Sequence, residues 1–129
     1  MKRTNISSGA KWEDIVGYSR AVKIGNRVEV CGTAAPVVDG EVVGKNDMYE
    51  QSRQCLLIIE KALKEAGAEL SDVVRTRMYV TDISKWEGAG KAHSEFFGSV
   101  KPATTLVEIS KLIHPDMWVE IEASAIVAE

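Results

Sequence analysis

Glu108, Glu120 and Glu122 put three carboxylates into two short alternating segments near the C-terminus, and Arg75 and Arg77 put two guanidinium groups into a third. A carboxylate in such a segment has two roles open to it. It can pair with an arginine, or, when partly withdrawn from water, it can gain proton affinity and exchange a proton with a bound molecule. Glu120 is a candidate for both. Cys31 is a nucleophile only if a base or cation beside it forms the thiolate, and the sequence places neither His93 nor His114 there, so it reads as a pocket wall. Two isolated histidines do not make a metal site, and Thr33-Ala-Ala-Pro36 and the paired glycines lack phosphate-loop spacing. No metal or other cofactor is expected.

The elements that must hold these groups follow from periodicity. Pro102 to Leu112 alternates as a strand, with Thr105, Val107 and Ile109 facing one way and Thr104, Leu106 and Glu108 the other. A second strand opposes Met117, Val119, Ile121 and Ala123 to Trp118, Glu120 and Glu122. Earlier, Tyr18 to Ile24 and Arg27 to Thr33 flank Gly25-Asn26, whose tolerance of positive φ suits a tight hairpin. Val28 and Val30 share one face of that strand and leave Glu29 and Cys31 on the other, while Gly32 admits a close neighbour to the backbone. A minor hairpin on Asp39-Gly40 follows. Asp47 and Glu50 are spaced as a capping box, and Cys55, Ile59, Ala62, Leu63 and Ala66 recur at helical spacing up to Gly67. Val73 to Val80 is a strand with Val74, Thr76, Met78 and Val80 on one face and Arg75, Arg77 and Tyr79 on the other. Ser84 and Glu87 open a second helix that turns Trp86, Ala89, His93, Phe96 and Phe97 inward and stops at Gly98; Gly88 and Gly90 weaken it. Residues 1–17 receive no element.

The chain of 129 residues fits one domain, residues 1–129, whose core needs neither disulfide nor metal. Two cysteines without paired-ligand spacing and an opening without leader character lead to a cytoplasmic expectation. The longest apolar run, Cys55 to Ile59, is too short to span a bilayer, so no membrane association is expected. A net charge of −3 with dispersed Lys and Arg gives no general attraction to phosphate backbones, and nucleic acid is not an expected partner. Two helices cover one face of a sheet and no more. The other face is assigned Glu29, Cys31, Arg75, Arg77, Tyr79, Leu106, Glu108, Trp118, Glu120 and Glu122. It is either solvated or covered, and self-association with Arg and Glu paired at the interface is the simplest way to bury it.

Gly17-Tyr18, Val30-Cys-Gly-Thr33, Val73 to Asp82, Glu95-Phe-Phe97, Pro102-Ala103-Thr104-Thr105 and Glu120-Ile121 together resemble the Rid family of reactive intermediate deaminases, also labelled YjgF-like or endoribonuclease L-PSP. The likeness covers nearly the whole chain. It implies an α+β, chorismate-mutase-like fold, a mixed sheet with two helices packed on one face, assembled as a homotrimer with small-molecule ligands in inter-subunit clefts. In the family's deaminases an Arg after Pro-Ala holds the substrate carboxylate; here that position is Thr104. The resemblance makes Glu120 the acid that positions water against an imine carbon, and Tyr18, Cys31, Gly32, Thr104, Thr105 and Leu106 the cleft residues. Gly90 stands where an Asn is common. The function implied is hydrolysis of an imine, enamine or related labile C–N bond. Imines of serine and threonine are expected to be poor substrates, unless Arg75 or Arg77 replaces the missing cation. A non-catalytic trimeric metabolite-binding protein and an endoribonuclease are the competing readings.

Overall fold

The computed structural model describes residues 1–128. In chain order the elements are β1 (Arg3–Ile6), α1 (Lys11–Val16), β2 (Ala21–Ile24), β3 (Arg27–Ala34), β4 (Val37–Val38), β5 (Glu41–Val42), α2 (Met48–Glu65), β6 (Val73–Val80), α3 (Trp86–Phe97), β7 (Ala103–Glu108) and β8 (Val119–Ile126). Six strands form one mixed sheet in the order β1-β2-β3-β8-β6-β7, and β4 and β5 pair separately. All neighbours run antiparallel except β6 and β7, which are parallel because α3 carries the chain back between them.

Local chemistry explains most boundaries. Gly25 at φ 60° turns the β2–β3 hairpin, and Asp39 and Gly40, both at positive φ, turn β4 into β5. The Asp47 carboxylate accepts the Glu50 N–H at 3.0 Å and caps α2; Glu50 does not return the bond but accepts from Gln54 instead. Beyond α2, Gly67 at φ 83° reverses the chain. The core lies between α2, α3 and one face of the sheet. Cys55, Leu56, Ile59 and Leu63 pack there with Phe97 against Val28, Met78, Val80, Val119 and Ile121, all at most 1% exposed.

Several expectations are corrected. The unassigned start contains β1 and α1. A register shift between Val73 and Arg75 leaves Val73 buried and Val74 exposed, so Val74 is not on the inner face. Ser84 does not cap α3: Asp82 accepts from its N–H and hydroxyl and starts a short 3-10 turn, after which Trp86 stands exposed at the head of α3. Gly88 serves packing, because a Cβ there would come within 3.0 Å of the Tyr49 backbone nitrogen on α2. The two C-terminal strands are not neighbours. β6 lies between them, and its register pairs Thr76 with Thr104 and Met78 with Leu106. Thr104, Leu106 and Glu108 therefore share the helix-covered side, and only Ala103, Thr105 and Val107 of β7 join the open face.

That open face carries an ordered polar network. The Tyr79 hydroxyl donates to Glu122 at 2.8 Å, Arg77 lies 3.6 Å from the same carboxylate, and Arg75 donates to the Thr105 hydroxyl at 2.6 Å. Ser124 donates to Glu29, also at 2.6 Å. Arg75 and Arg77 are thus held in structural pairings.

Candidate functional site

Glu120 sits on β8 opposite Ala34 of β3 and Tyr79 of β6. β3 breaks register between Val30 and Thr33, and the resulting bulge at Cys31-Gly32 makes room for the Glu120 side chain. A Cβ on Gly32 would lie within 2.9 Å of Glu120 Cδ and overlap its Oε1, so only glycine lets the carboxylate rest over this backbone. This is the close approach that Gly32 was expected to admit.

A cleft of about 1000 Å³ opens above this point. Its walls are α1 with Trp12 and Val16, Tyr18 and Arg20, the chain from Cys31 near the end of β3 to Val37 at the start of β4, Ile58 and Lys61 of α2, and the loop from Leu112 to Met117. A second, shallower hollow of about 750 Å³ shares Tyr18 and Cys31 but reaches Glu122 and Arg77 instead of Glu120. The larger one holds the acid and is the candidate site.

Burial pushes the proton affinity of Glu120 above that of an ordinary carboxylate, and the charge of Glu122 adds to this, while Arg20 opposes it. Burial likewise raises the Cys31 thiol, against the pull of Arg20 and with a smaller push from Glu13 and Glu120. Cys31 thus stands in the cleft wall as a thiol held in its protonated form. Glu13 is nearly buried on α1. Burial raises its carboxyl, but hydrogen bonds from Ser8 and Ser7 and the field of Arg20 outweigh that and hold it below the usual range. Those bonds tie α1 to the turn before it and set one wall of the cleft.

Sequence reasoning missed Arg20. Its Nη1 donates to the Gly32 carbonyl at 3.3 Å and to the Thr33 hydroxyl at 3.1 Å, and its guanidinium carbon stands 5.9 Å from the Tyr18 ring centre. The available signal was its spacing of two from Tyr18, which puts both on one side of an extended segment. Trp12 and the buried Gln51 were missed as well; α1 was unassigned, and Gln51 interrupts an apolar helix face without any motif to mark it.

Tyr18, Cys31, Gly32 and Glu120 line one cleft. Gly90, Thr104, Thr105 and Leu106 do not line it within one chain. Thr104 lies under the sheet at the edge strand, its hydroxyl 2.7 Å from that of Thr76 and 3.4 Å from His93 Nε2. Leu106 packs toward the core, and Gly90 lies on α3, where a Cβ would make ordinary 3.6 Å contact with Trp86. Thr105 accepts from Arg75 on the open face. The shared face assumed for Glu120 and Thr104 is therefore corrected, since β7 alternation has the opposite phase to that assumed. His114 lines the cleft, with its Nδ1 accepting the Asp116 N–H at 3.0 Å. Trp118 is not in the cleft wall but packs against the core beneath the Lys85 ammonium. Among the described residues no three His, Cys, Asp or Glu side chains stand together as metal ligands, and no helix is long and apolar enough to cross a membrane.

The family model described as Endoribonuclease L-PSP matches residues 9–127. The RutC family protein PYRAB12510 of Pyrococcus abyssi is 40% identical over 110 residues, which is 84% of each chain. The crystal structure of Rv2704 from Mycobacterium tuberculosis, a member of the YjgF/YER057c/UK114 family, superposes with a TM-score of 0.90 at 50% identity, over 98% of this chain and 100% of that one. The YjgF gene product of E. coli is more distant, with a TM-score of 0.77, 28% identity, and coverage of 95% and 93%. With a YjgF-like α+β fold and a family match over nearly its whole length, this chain belongs to the endoribonuclease L-PSP family, the YjgF/RutC group.

Proposed function

We propose that the protein is a small-molecule enzyme that hydrolyses an imine, enamine or related labile C–N bond, with Glu120 as its acid and base. One observation carries this reading: a half-buried carboxylate of raised proton affinity rests over the Gly32 backbone in an open cleft, with no protein hydrogen-bond donor engaging it among the described residues. Such a group is suited to proton transfer. Glu120 takes a proton from water as the water oxygen bonds to the imine carbon, and the C=N electron pair moves onto nitrogen. The same carboxyl returns that proton to the nitrogen, giving a carbinolamine; the carboxylate then takes the carbinolamine hydroxyl proton and passes it to the nitrogen as the C–N bond breaks, so both water protons leave on the amine and the oxygen stays in the carbonyl product. Tyr18 and Cys31 shape the wall beside the reacting carbon.

The active assembly is a homotrimer in this proposal, and the edge formed by β7 and α3 of a neighbouring copy completes the cleft. This would bring Thr104, Thr105, Leu106 and Gly90 to the site from another chain. A Thr104 hydroxyl cannot form the paired charge-assisted bonds that an arginine makes to a carboxylate, so imines of serine and threonine lose that anchor and are poor substrates. The free thiols Cys31 and Cys55 agree with a reducing, cytoplasmic setting.

The test is release of carbonyl product from a panel of small imines by the wild type and E120Q. Loss of about two to four decades in rate is expected from the amide. An E120Q rate equal to wild type rejects Glu120 as the catalytic group. If the wild type binds these ligands without turnover, the metabolite-binding reading replaces the enzyme; cleavage of RNA in parallel assays supports the nuclease reading.

A further inference from the structure

We infer that His114 presents its Nε2–H to the cleft as the donor for an uncharged carbonyl oxygen of the substrate. The substrate is then an imine or enamine that carries such a carbonyl on an apolar body, an inference that rests on the proposed reading of the cleft as a substrate site. His114 stands half-buried in the loop that leads into β8 and lines the same cleft as Glu120. Its Nδ1 takes the backbone N–H of Asp116 at 3.0 Å. A backbone amide only donates, so Nδ1 is an acceptor and the neutral imidazole carries its proton on Nε2. The two nitrogens point away from each other across the ring's Cε1. With Nδ1 turned to its own loop, Nε2–H lies on the edge left for the cleft, and no protein oxygen among the described residues accepts from it.

The loop is held at several points, and these fix the ring. The Met117 N–H donates to the His114 carbonyl at 3.0 Å, the Gln51 amide donates to the Asp116 carbonyl at 3.0 Å, and the Trp118 N–H donates to Gln51 at 2.8 Å. Pro115 locks a backbone torsion between the histidine and its partner. A donor positioned beforehand loses little freedom when a ligand arrives. The same segment runs on into β8 and Glu120, so one strap carries both the donor and the acid. The walls favour a neutral acceptor. Trp12, Val16, Pro36 and Met117 are apolar surface, Lys11 and Lys61 are exposed where water screens them, and Arg20 is turned to the Gly32 carbonyl and the Thr33 hydroxyl. A carboxylate would bring like charge beside the half-buried Glu120, whereas a carbonyl needs only the one N–H. The donor also bears on the chemistry. A hydrogen bond to a carbonyl conjugated with the C–N bond draws electrons toward its oxygen and leaves the imine carbon more open to water.

The experiment reads binding of compounds that cannot be hydrolysed, so its failure is separable from failure of the hydrolase reading. Wild-type protein with nitrogen-labelled histidine is titrated at about pH 8 with cyclopentanone, with methylenecyclopentane, in which a methylene group replaces the oxygen, and with cyclopentanecarboxylate. Before any ligand is added, long-range nitrogen–proton spectra are expected to place the His114 proton on Nε2; a proton on Nδ1 overturns the inference. Cyclopentanone is expected to shift the Nε2 resonance and to bind about threefold to tenfold tighter than either other compound. H114N, whose side-chain oxygen can still accept the Asp116 N–H, is expected to lose that preference and to bind methylenecyclopentane as the wild type does. An unchanged preference in H114N, an Nε2 resonance that cyclopentanone leaves unmoved, or tighter binding of the carboxylate overturns it. If H114N does not fold, the wild-type ligand series and the Nε2 shift decide by themselves.

Discussion

Glu120 and Gly32 are a matched pair, one carboxylate whose position exists only because its neighbour lacks a side chain. Substituting G32A inserts a methyl group beneath that carboxylate, and overpacking of this kind costs about 1 to 3 kcal/mol. Denaturant unfolding should show that loss in G32A and recover most of it in G32A/E120A, where nothing remains to collide. The raised proton affinity of Glu120 also has a sign for stability. A carboxyl whose folded pKa exceeds its unfolded value contributes stability fully present below the unfolded value, about 4.3, and lost as pH rises through the folded one. E120Q should therefore melt higher than wild type near neutral pH, with the advantage vanishing toward roughly pH 4. His93 acts oppositely. Burial lowers its pKa, so the stability it confers is present above the unfolded value of about 6.5 and lost as pH falls through the depressed one. Melting curves of H93Q against wild type across that window check it: the wild type should lose ground to the variant as pH falls. At this scale the family resemblance singled out Glu120 and Cys31, and alternation alone left Glu120 equally readable as an interface carboxylate. Arg20 was not legible, because its bonds to the Gly32 carbonyl and the Thr33 hydroxyl join segments that only the fold brings together.

Among the elements, the loop before β8 decides where Glu120 begins, and a single side chain on α2 sets that loop. Gln51 is fully buried; its amide donates to the Gly44 carbonyl at 3.2 Å and the Asp116 carbonyl at 3.0 Å, and its oxygen accepts the Trp118 N–H at 2.8 Å. Replacing it by leucine strands three backbone groups, at about 1 to 3 kcal/mol for a buried group left unmade. Q51L should lower the unfolding free energy accordingly and speed amide exchange at Trp118. A variant as stable and as protected as wild type would remove Gln51 from the support of the site. The helix over which this is built was legible from its apolar spacing and its Asp47 cap, both local signals. The bulges at Cys31-Gly32 and near Val74 were not, since an extra residue in one strand is defined only by its partner.

For the whole molecule, the open face and the β7 edge together call for a second copy. β7 carries exposed Val107 and an unpaired strand edge, a surface natural proteins rarely leave bare. Light scattering during gel filtration is expected to give a trimer, and R77E, which places like charge beside Glu122, is expected to weaken it. A wild-type monomer at micromolar concentration would remove the neighbouring chain from the cleft. Alternation outside the two bulges, the period of α2, the turn glycines and the charge balance were set by the sequence alone, because each involves residues a few positions apart or composition. That β6 lies between β7 and β8, and that Thr104 faces the helices while Glu120 faces away, were decided only by the tertiary structure. Side chains alternate with period two, so a strand's own pattern defines two faces without saying which one its partners share.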